Sequence, residues 1–193
     1  MINIYIIQHL LVENNIRGIV TGLTNQPVLQ TGRCLANLIN VIKTIKFDFI
    51  ICSTLLRSIQ TIQLCFSNEH IELIKDNRFL PVDYGSFHSK KKIDVAKVNY
   101  QYVTKPFPNG ESFNDMALRH HQALKELNNK YEGSNFLLVG HEGTQVILRY
   151  LCEGFPLEKG FRESGQSIVK QNLTKLNHES SFSQPPKGPF KYA

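Results

Sequence analysis

Three short segments of nearly unbroken apolar sequence set the strongest limit on the fold: Ile2 to Ile7, Phe47 to Cys52 (FDFIIC) and Asn135 to Val139 (NFLLV). Continuous apolar runs of this length bounded by polar residues read as strands buried on both faces. Each is followed by a stretch of helical period, Leu29 to Ile45, Leu55 to Phe66 and Thr144 to Cys152. Strands alternating with helices predict a three-layer α/β/α sandwich around a mainly parallel sheet.

A fourth helix is marked by Phe113, Met116, Ala117, His120, Ala123, Leu124, Leu127 and Tyr131, which fall on one stripe. Ser112 and Asp115 resemble a capping box, so this helix is expected to begin near Phe113. Between Phe79 and Gly110 the periodicity weakens and Pro81, Pro106 and Pro108 intervene, which predicts an excursion over the sheet, of the kind able to cover a ligand. Residues 1–179 are expected to form one domain with this 79–110 cover, and 180–193, carrying three prolines, an extended or flexible tail.

Composition narrows the class. With 193 residues, 41% apolar and 20% charged, the chain is long enough for one well-packed core, which excludes disordered and disulfide-scaffold classes. No apolar run approaches the roughly 18–20 residues of a membrane span, and no basic region precedes the first apolar segment, so a cytoplasmic protein with no membrane partner is expected. Four widely spaced cysteines suggest reduced thiols, not a zinc site or disulfides. The formal charge of +6 favours anionic partners. The run Lys90-Lys91-Lys92 has no accompanying nucleic-acid motif, so it reads as a solvated loop, and no nucleic acid is expected.

In an open parallel sheet, ligands bind beyond the carboxyl ends of the strands. The residues there are Gln8-His9, Ser53-Thr54-Leu55-Leu56-Arg57 and Gly140-His141-Glu142-Gly143. Two imidazoles and a guanidinium are thus expected to converge. His120, on the apolar stripe of its helix, reads as a core residue, and no metal site or cofactor is indicated.

These segments resemble the histidine phosphatase superfamily, the phosphoglycerate mutase-like proteins. QHLLVENN, Gln8 to Asn15, is similar to the family's Arg-His-Gly-x-Thr-x-x-Asn, and STLLRSIQT, Ser53 to Thr61, to its Ser-Pro-Leu-x-Arg-Ala-x-Gln-Thr. NQPVLQTG, from Asn25, retains Pro27 and Gly32 of a third motif, and NGES at Asn109 and LLVGHEG at Leu137 follow in the family's order. The resemblance implies a phosphoryl pocket with His9 as nucleophile, Arg57 and His141 as phosphate ligands and Asn15 as a supporting donor. A neutral imidazole attacks phosphorus and splits the transfer into two steps, while cationic forks hold the equatorial oxygens.

The departures are equally specific. The family's first arginine is Gln8 and the following glycine is Leu10, so the pocket has lost a cationic fork and gained bulk that is expected to narrow the phosphate site or tilt its loop. Many members place a proton-donating Glu where PVDYG has Pro81. Asp83, Glu111 and Glu142 are the candidate replacements, Glu142 foremost because one branch of the superfamily has an acid directly after its second histidine. The catalytic set read from the sequence is His9, Arg57, His141, Glu142 and Glu111, with Gln8 and Asn15 completing the phosphate site. The implied activity is a phosphomonoesterase on a small phosphorylated metabolite. Two alternatives are a catalytically impaired protein that binds an anionic ligand, and a pocket reshaped for another reaction.

Overall fold

The computed structural model describes residues 2–29, 36, 39, 40, 42–67, 70–157, 159, 160 and 172–175. A five-stranded sheet has the order β3-β2-β4-β1-β5. Its strands are β1 (Asn3–Gln8), β2 (Phe49–Cys52), β3 (Glu72–Lys75), β4 (Asn135–Gly140) and β5 (Asn172–Lys175). The first four run parallel and β5 lies antiparallel along β1. The helices are α1 (Glu13–Ile16), α2 (Leu56–Cys65), α3 (Lys92–Ala96), α4 (Phe113–Lys130) and α5 (Glu142–Glu153).

Strand alternation divides the apolar residues between two faces. Ile2, Ile4 and Ile6 of the first segment, Phe49, Ile51, Phe136 and Leu138 pack on one side with Ala123, Leu124 and Leu127 of α4 and Leu148 of α5. Ile7, Ile50, Cys52, Leu137 and Val139 pack on the other with Ile42 and with Ile62 and Cys65 of α2. Because every central strand residue is needed on one face or the other, the strands read as continuous apolar runs. The expected α/β/α sandwich is therefore the observed one. The strand pairs β2·β3 and β1·β5 were not anticipated. ELIK at β3 is exposed at both ends, and NLTK at β5 is short and polar in sequence, so neither carries the apolar run that marks the inner strands.

Helix α4 starts where the sequence placed it: Asp115 N–H donates to Ser112 Oγ at 3.1 Å, and Ser112 N–H to Asp115 Oδ2 at 2.9 Å. The cover consists of short pieces, three-residue 3-10 turns at Asn77–Phe79 and Gly85–Phe87, α3, and a four-residue turn at Asn99–Tyr102. Such short turns leave no helical period in the sequence. A third apolar cluster, with Val82, Val95, Val103 and Phe107 against Phe113, Met116 and Ile147, fastens the cover to α4 and α5. Most of the expected helix over Leu29 to Ile45, and the tail from 180, lie outside the described residues. Among those described, no helix is long and apolar enough to cross a membrane.

Candidate active site

Strand order builds the site. β1 and β2 both pair with β4, with Gln8 opposite Gly140 and Cys52 opposite Val139, so the three chains leave the sheet side by side. The next residues, His9, Ser53 and His141, are thereby brought together at one edge. His9 N–H donates to the Gly140 carbonyl at 3.1 Å, extending the ladder one residue past β1.

The His9 ring is 5.2 Å from that of His141, centroid to centroid. Its Nδ1 donates to the Leu10 carbonyl at 2.7 Å, since a carbonyl can only accept, and this leaves Nε2 with the lone pair. Burial first, and the Arg57 charge second, lower the His9 pKa to about 3, so the imidazole is neutral near pH 7. The loop that carries it is tied to α2: Leu10 N–H donates to Thr61 Oγ1 at 2.9 Å, and Thr61 Oγ1 donates to the Arg57 carbonyl at 2.7 Å.

Arg57 is 1% exposed at the start of α2. Its Nη1 donates to the Thr24 carbonyl and its Nη2 to the Gly22 carbonyl, both at 2.7 Å, while Nη2 also lies 3.4 Å from His141 Nδ1. Nε is buried with no hydrogen-bond partner among the described residues. Burial lowers the guanidinium pKa to about 10, which keeps it charged at neutral pH. His141 caps α5 and donates from Nε2 to Ser53 Oγ at 2.9 Å. Burial, followed by the charges of its neighbours, holds His141 well below the usual histidine range.

The remaining expected residues fall into distinct places. Gln8 ends β1, half-buried, beside this group. Asn15 Oδ1 accepts from Val12 N–H at 3.0 Å and so closes the α1 turn, leaving its NH2 as the group that can donate elsewhere. Glu142 is the first residue of α5, with Oε2 2.5 Å from Lys92 Nζ on the cover, so one member of the lysine run is not merely solvated. Its charge, after burial, raises the Tyr84 pKa, which places the cover's aromatic residue within electrostatic reach of Glu142.

Two expectations are corrected. Leu10 does not fill the phosphate site: it is 4% exposed and packs in the apolar cluster under the sheet with Ile7, Cys52 and Val139. Glu111 is not free for proton transfer. Arg119 Nη2 donates to its Oε1 at 2.6 Å and Nε to its Oε2 at 3.1 Å, and Asp83 N–H also donates to Oε1. Arg119 further donates to the carbonyls of Arg78, Leu80 and Pro81. The pair is a buried clamp that fixes the entry to the cover.

Sequence reasoning missed this clamp and the part played by Ser53 and Thr61. His120 is a core residue as read: its Nδ1 donates to the Met116 carbonyl at 2.9 Å within a fully buried setting.

Comparison with known proteins gives this geometry a family. Residues 4–180 match the histidine phosphatase superfamily (branch 1). The adenosylcobalamin/α-ribazole phosphatase of Escherichia coli (strain K12) is 25% identical over 164 residues, 80% of this chain and 81% of that protein. The α-ribazole phosphatase structure from Shigella flexneri matches with a TM-score of 0.68 at 20% identity, covering 91% of this chain and 96% of the other. A mycobacterial glucosyl-3-phosphoglycerate phosphatase in complex with VO3 matches with a TM-score of 0.71 at 18% identity, over 82% and 85% of the two chains. With the family match spanning nearly the whole chain, and two histidines and an arginine gathered at the ends of three parallel strands, the chain belongs to branch 1 of the histidine phosphatase superfamily.

Proposed function

We propose that the protein is a phosphomonoesterase that cleaves a small phosphorylated metabolite through a phosphohistidine at His9. The observation that carries this reading is the Nδ1 bond of His9 to the Leu10 carbonyl, which leaves Nε2 unprotonated in a ring that burial keeps neutral. The Nε2 lone pair forms the N–P bond as the bond from phosphorus to the ester oxygen breaks, and the departing oxygen takes a proton. Water then attacks the phosphohistidine, releasing phosphate and restoring His9.

Arg57, with an uncommitted buried Nε, and His141 stabilise the transferring group, and Gln8 and the Asn15 NH2 group add neutral donors. Glu142, one residue beyond His141 and half-buried, has Oε2 bound to Lys92 and is the acid of this scheme when its carboxyl takes up a proton in place of that ion pair; Asp83 is the other candidate. The relatives named as phosphatases of α-ribazole and of glucosyl-3-phosphoglycerate support a metabolite monoester as the substrate class.

A second reading is a protein that binds a phosphorylated ligand with little turnover. It is favoured by Gln8, which lacks a cationic fork, and by Pro81, which has no ionisable side chain and whose carbonyl is held by Arg119. Phosphate release from a panel of alkyl and aryl phosphomonoesters, native protein against His9→Ala, separates the two. His9-dependent release supports the enzyme; phosphate binding without release supports the binding protein.

A further inference from the structure

We infer that His88 is a positioning residue: its ring, pinned by Asp83, forms the wall that holds Gly22 on Arg57 and so sets the guanidinium that grips the phosphoryl group. The inference rests on the phosphoryl-pocket reading of the site and adds a residue from the cover to it.

Gly22 lies in the left-handed region, with φ of 44°, at the tip of the loop after α1. Its carbonyl accepts from Arg57 Nη2 at 2.7 Å. Its other side has no room: a Cβ there would overlap His88 Cε1, lie 2.5 Å from His88 Nδ1 and 3.1 Å from the Tyr84 ring. The imidazole thus sits against the Gly22 Cα, opposite in function to the carbonyl that Arg57 holds. An alanine would be strained twice, by its positive φ and by this contact.

The ring is itself fixed. His88 Nε2 donates to Asp83 Oδ1 at 2.8 Å, and Gly85 N–H donates to the same oxygen at 2.9 Å. Asp83 N–H in turn reaches Glu111, which Arg119 clamps. The two segments, 18–20 and 89–92, are also laced by backbone bonds, Val20 N–H to the Lys90 carbonyl, Ser89 N–H to the Val20 carbonyl and Lys92 N–H to the Gly18 carbonyl. A continuous path therefore runs from Arg119 through Glu111, Asp83, His88 and Gly22 to Arg57.

His88 Nδ1 is buried and makes no hydrogen bond among the described residues. A buried polar atom left in that state costs stability and calls for a reason. A leucine or methionine would fill the space without that cost but could not be held by Asp83, so the imidazole is explained by the need for an oriented wall. The two carbonyls on Nη1 and Nη2 then leave Nε of Arg57 as the donor that meets a phosphoryl oxygen. Loss of the wall frees Gly22, and Arg57 loses the carbonyl that orients it. A displacement of this kind at a phosphate-binding fork reduces binding by about tenfold or more.

The test uses inorganic phosphate and orthovanadate as probes, titrated into the full chain by calorimetry, with thermal melts alongside. His88→Ala is expected to weaken both anions about tenfold with a melting temperature close to native. His88→Gln, which keeps a donor for Asp83 and a filled wall, is expected to restore most of the affinity. In an Arg57→Lys background, His88→Ala is expected to add little, because the two residues act through one contact. Native affinity in folded His88→Ala, or full additivity with Arg57→Lys, would overturn the inference while leaving the pocket intact. Absence of anion binding in the native chain would overturn the pocket reading and this inference with it.

Discussion

Arg57 Nη2, which can only donate, lies 3.4 Å from His141 Nδ1, so the proton of the neutral ring sits on Nε2 and is donated to Ser53 Oγ at 2.9 Å. With the proton held on Nε2, Nδ1 presents its lone pair to the guanidinium. Ser58 Oγ lies 3.1 Å from Ser53 Oγ and completes the buried chain. Ser53→Ala leaves the His141 N–H without its acceptor, at a cost of about 1–3 kcal/mol. The expected outcome is a lower urea midpoint together with weaker phosphate binding; Ser53→Thr, which keeps the hydroxyl, is expected to recover both. Equal phosphate affinity in Ser53→Ala would show that the Ser53 bond does not position His141 for the anion.

In the motif resemblance Gln8 falls at the family's first arginine, and the bulk of Leu10 is turned into the apolar cluster below the sheet. Space for a longer side chain at position 8 is therefore not taken by its neighbour. Gln8→Arg is expected to tighten phosphate binding and raise turnover by at least about tenfold, in line with the weight of one preorganised charged donor. Calorimetry with phosphate and release rates from one ester check both halves. A folded variant with unchanged affinity would remove position 8 from the phosphate site.

Arg119 is 4% exposed and holds Glu111 with two bonds. Arg119→Leu strands that carboxylate and three carbonyls, so a loss of about 3–5 kcal/mol is expected. Replacing both partners, Arg119→Leu with Glu111→Leu, is expected to cost less than Arg119→Leu alone. Urea unfolding of the single and double variants gives the comparison.

Among the described residues, three buried histidines make the fold sensitive to mild acid. Burial, the largest cause in each, lowers His9 to about 3 and holds His120 and His141 well below the ordinary value of 6.5. These folded pKa values are depressed, so the unfolded chain binds more protons as soon as pH drops below 6.5. Stability is therefore full above that value and declines as pH falls towards the folded pKa, by about 1.4 kcal/mol per pH unit for each histidine. The urea midpoint is expected to fall between pH 7 and 5.5, and less steeply in His120→Asn. A midpoint that is flat over this range would contradict the neutral, buried state of these rings.

The inner strands, and the helices after β2 and β4, were legible because both faces of β1, β2 and β4 are buried, which writes unbroken apolar runs into the chain. The site was legible for a related reason: His9, Arg57 and His141 lie just beyond those runs, where parallel sheets present their ligands. The supporting residues were not. Arg119 sits on the flank of the α4 stripe and in sequence resembles any solvent-facing arginine; Glu111 eight residues earlier was the signal available for its partner. His88 had no spacing to another polar residue that would mark it, because its contact with Gly22 joins loops 66 residues apart in sequence. The edge strands β3 and β5, as short as β2, were hidden because ELIK and NLTK lack the unbroken apolar run that marks the inner strands.

The central claim is that His9 carries the phosphoryl group. The direct measurement is mass spectrometry of the protein quenched in alkali during turnover of p-nitrophenyl phosphate, with peptides mapped under basic conditions. The account predicts an acid-labile phosphoryl adduct on the His9 peptide, absent from His9→Ala, whose phosphate release also disappears. An active protein in which His9 is never labelled, or a His9→Ala variant that still releases phosphate at the native rate, would contradict it.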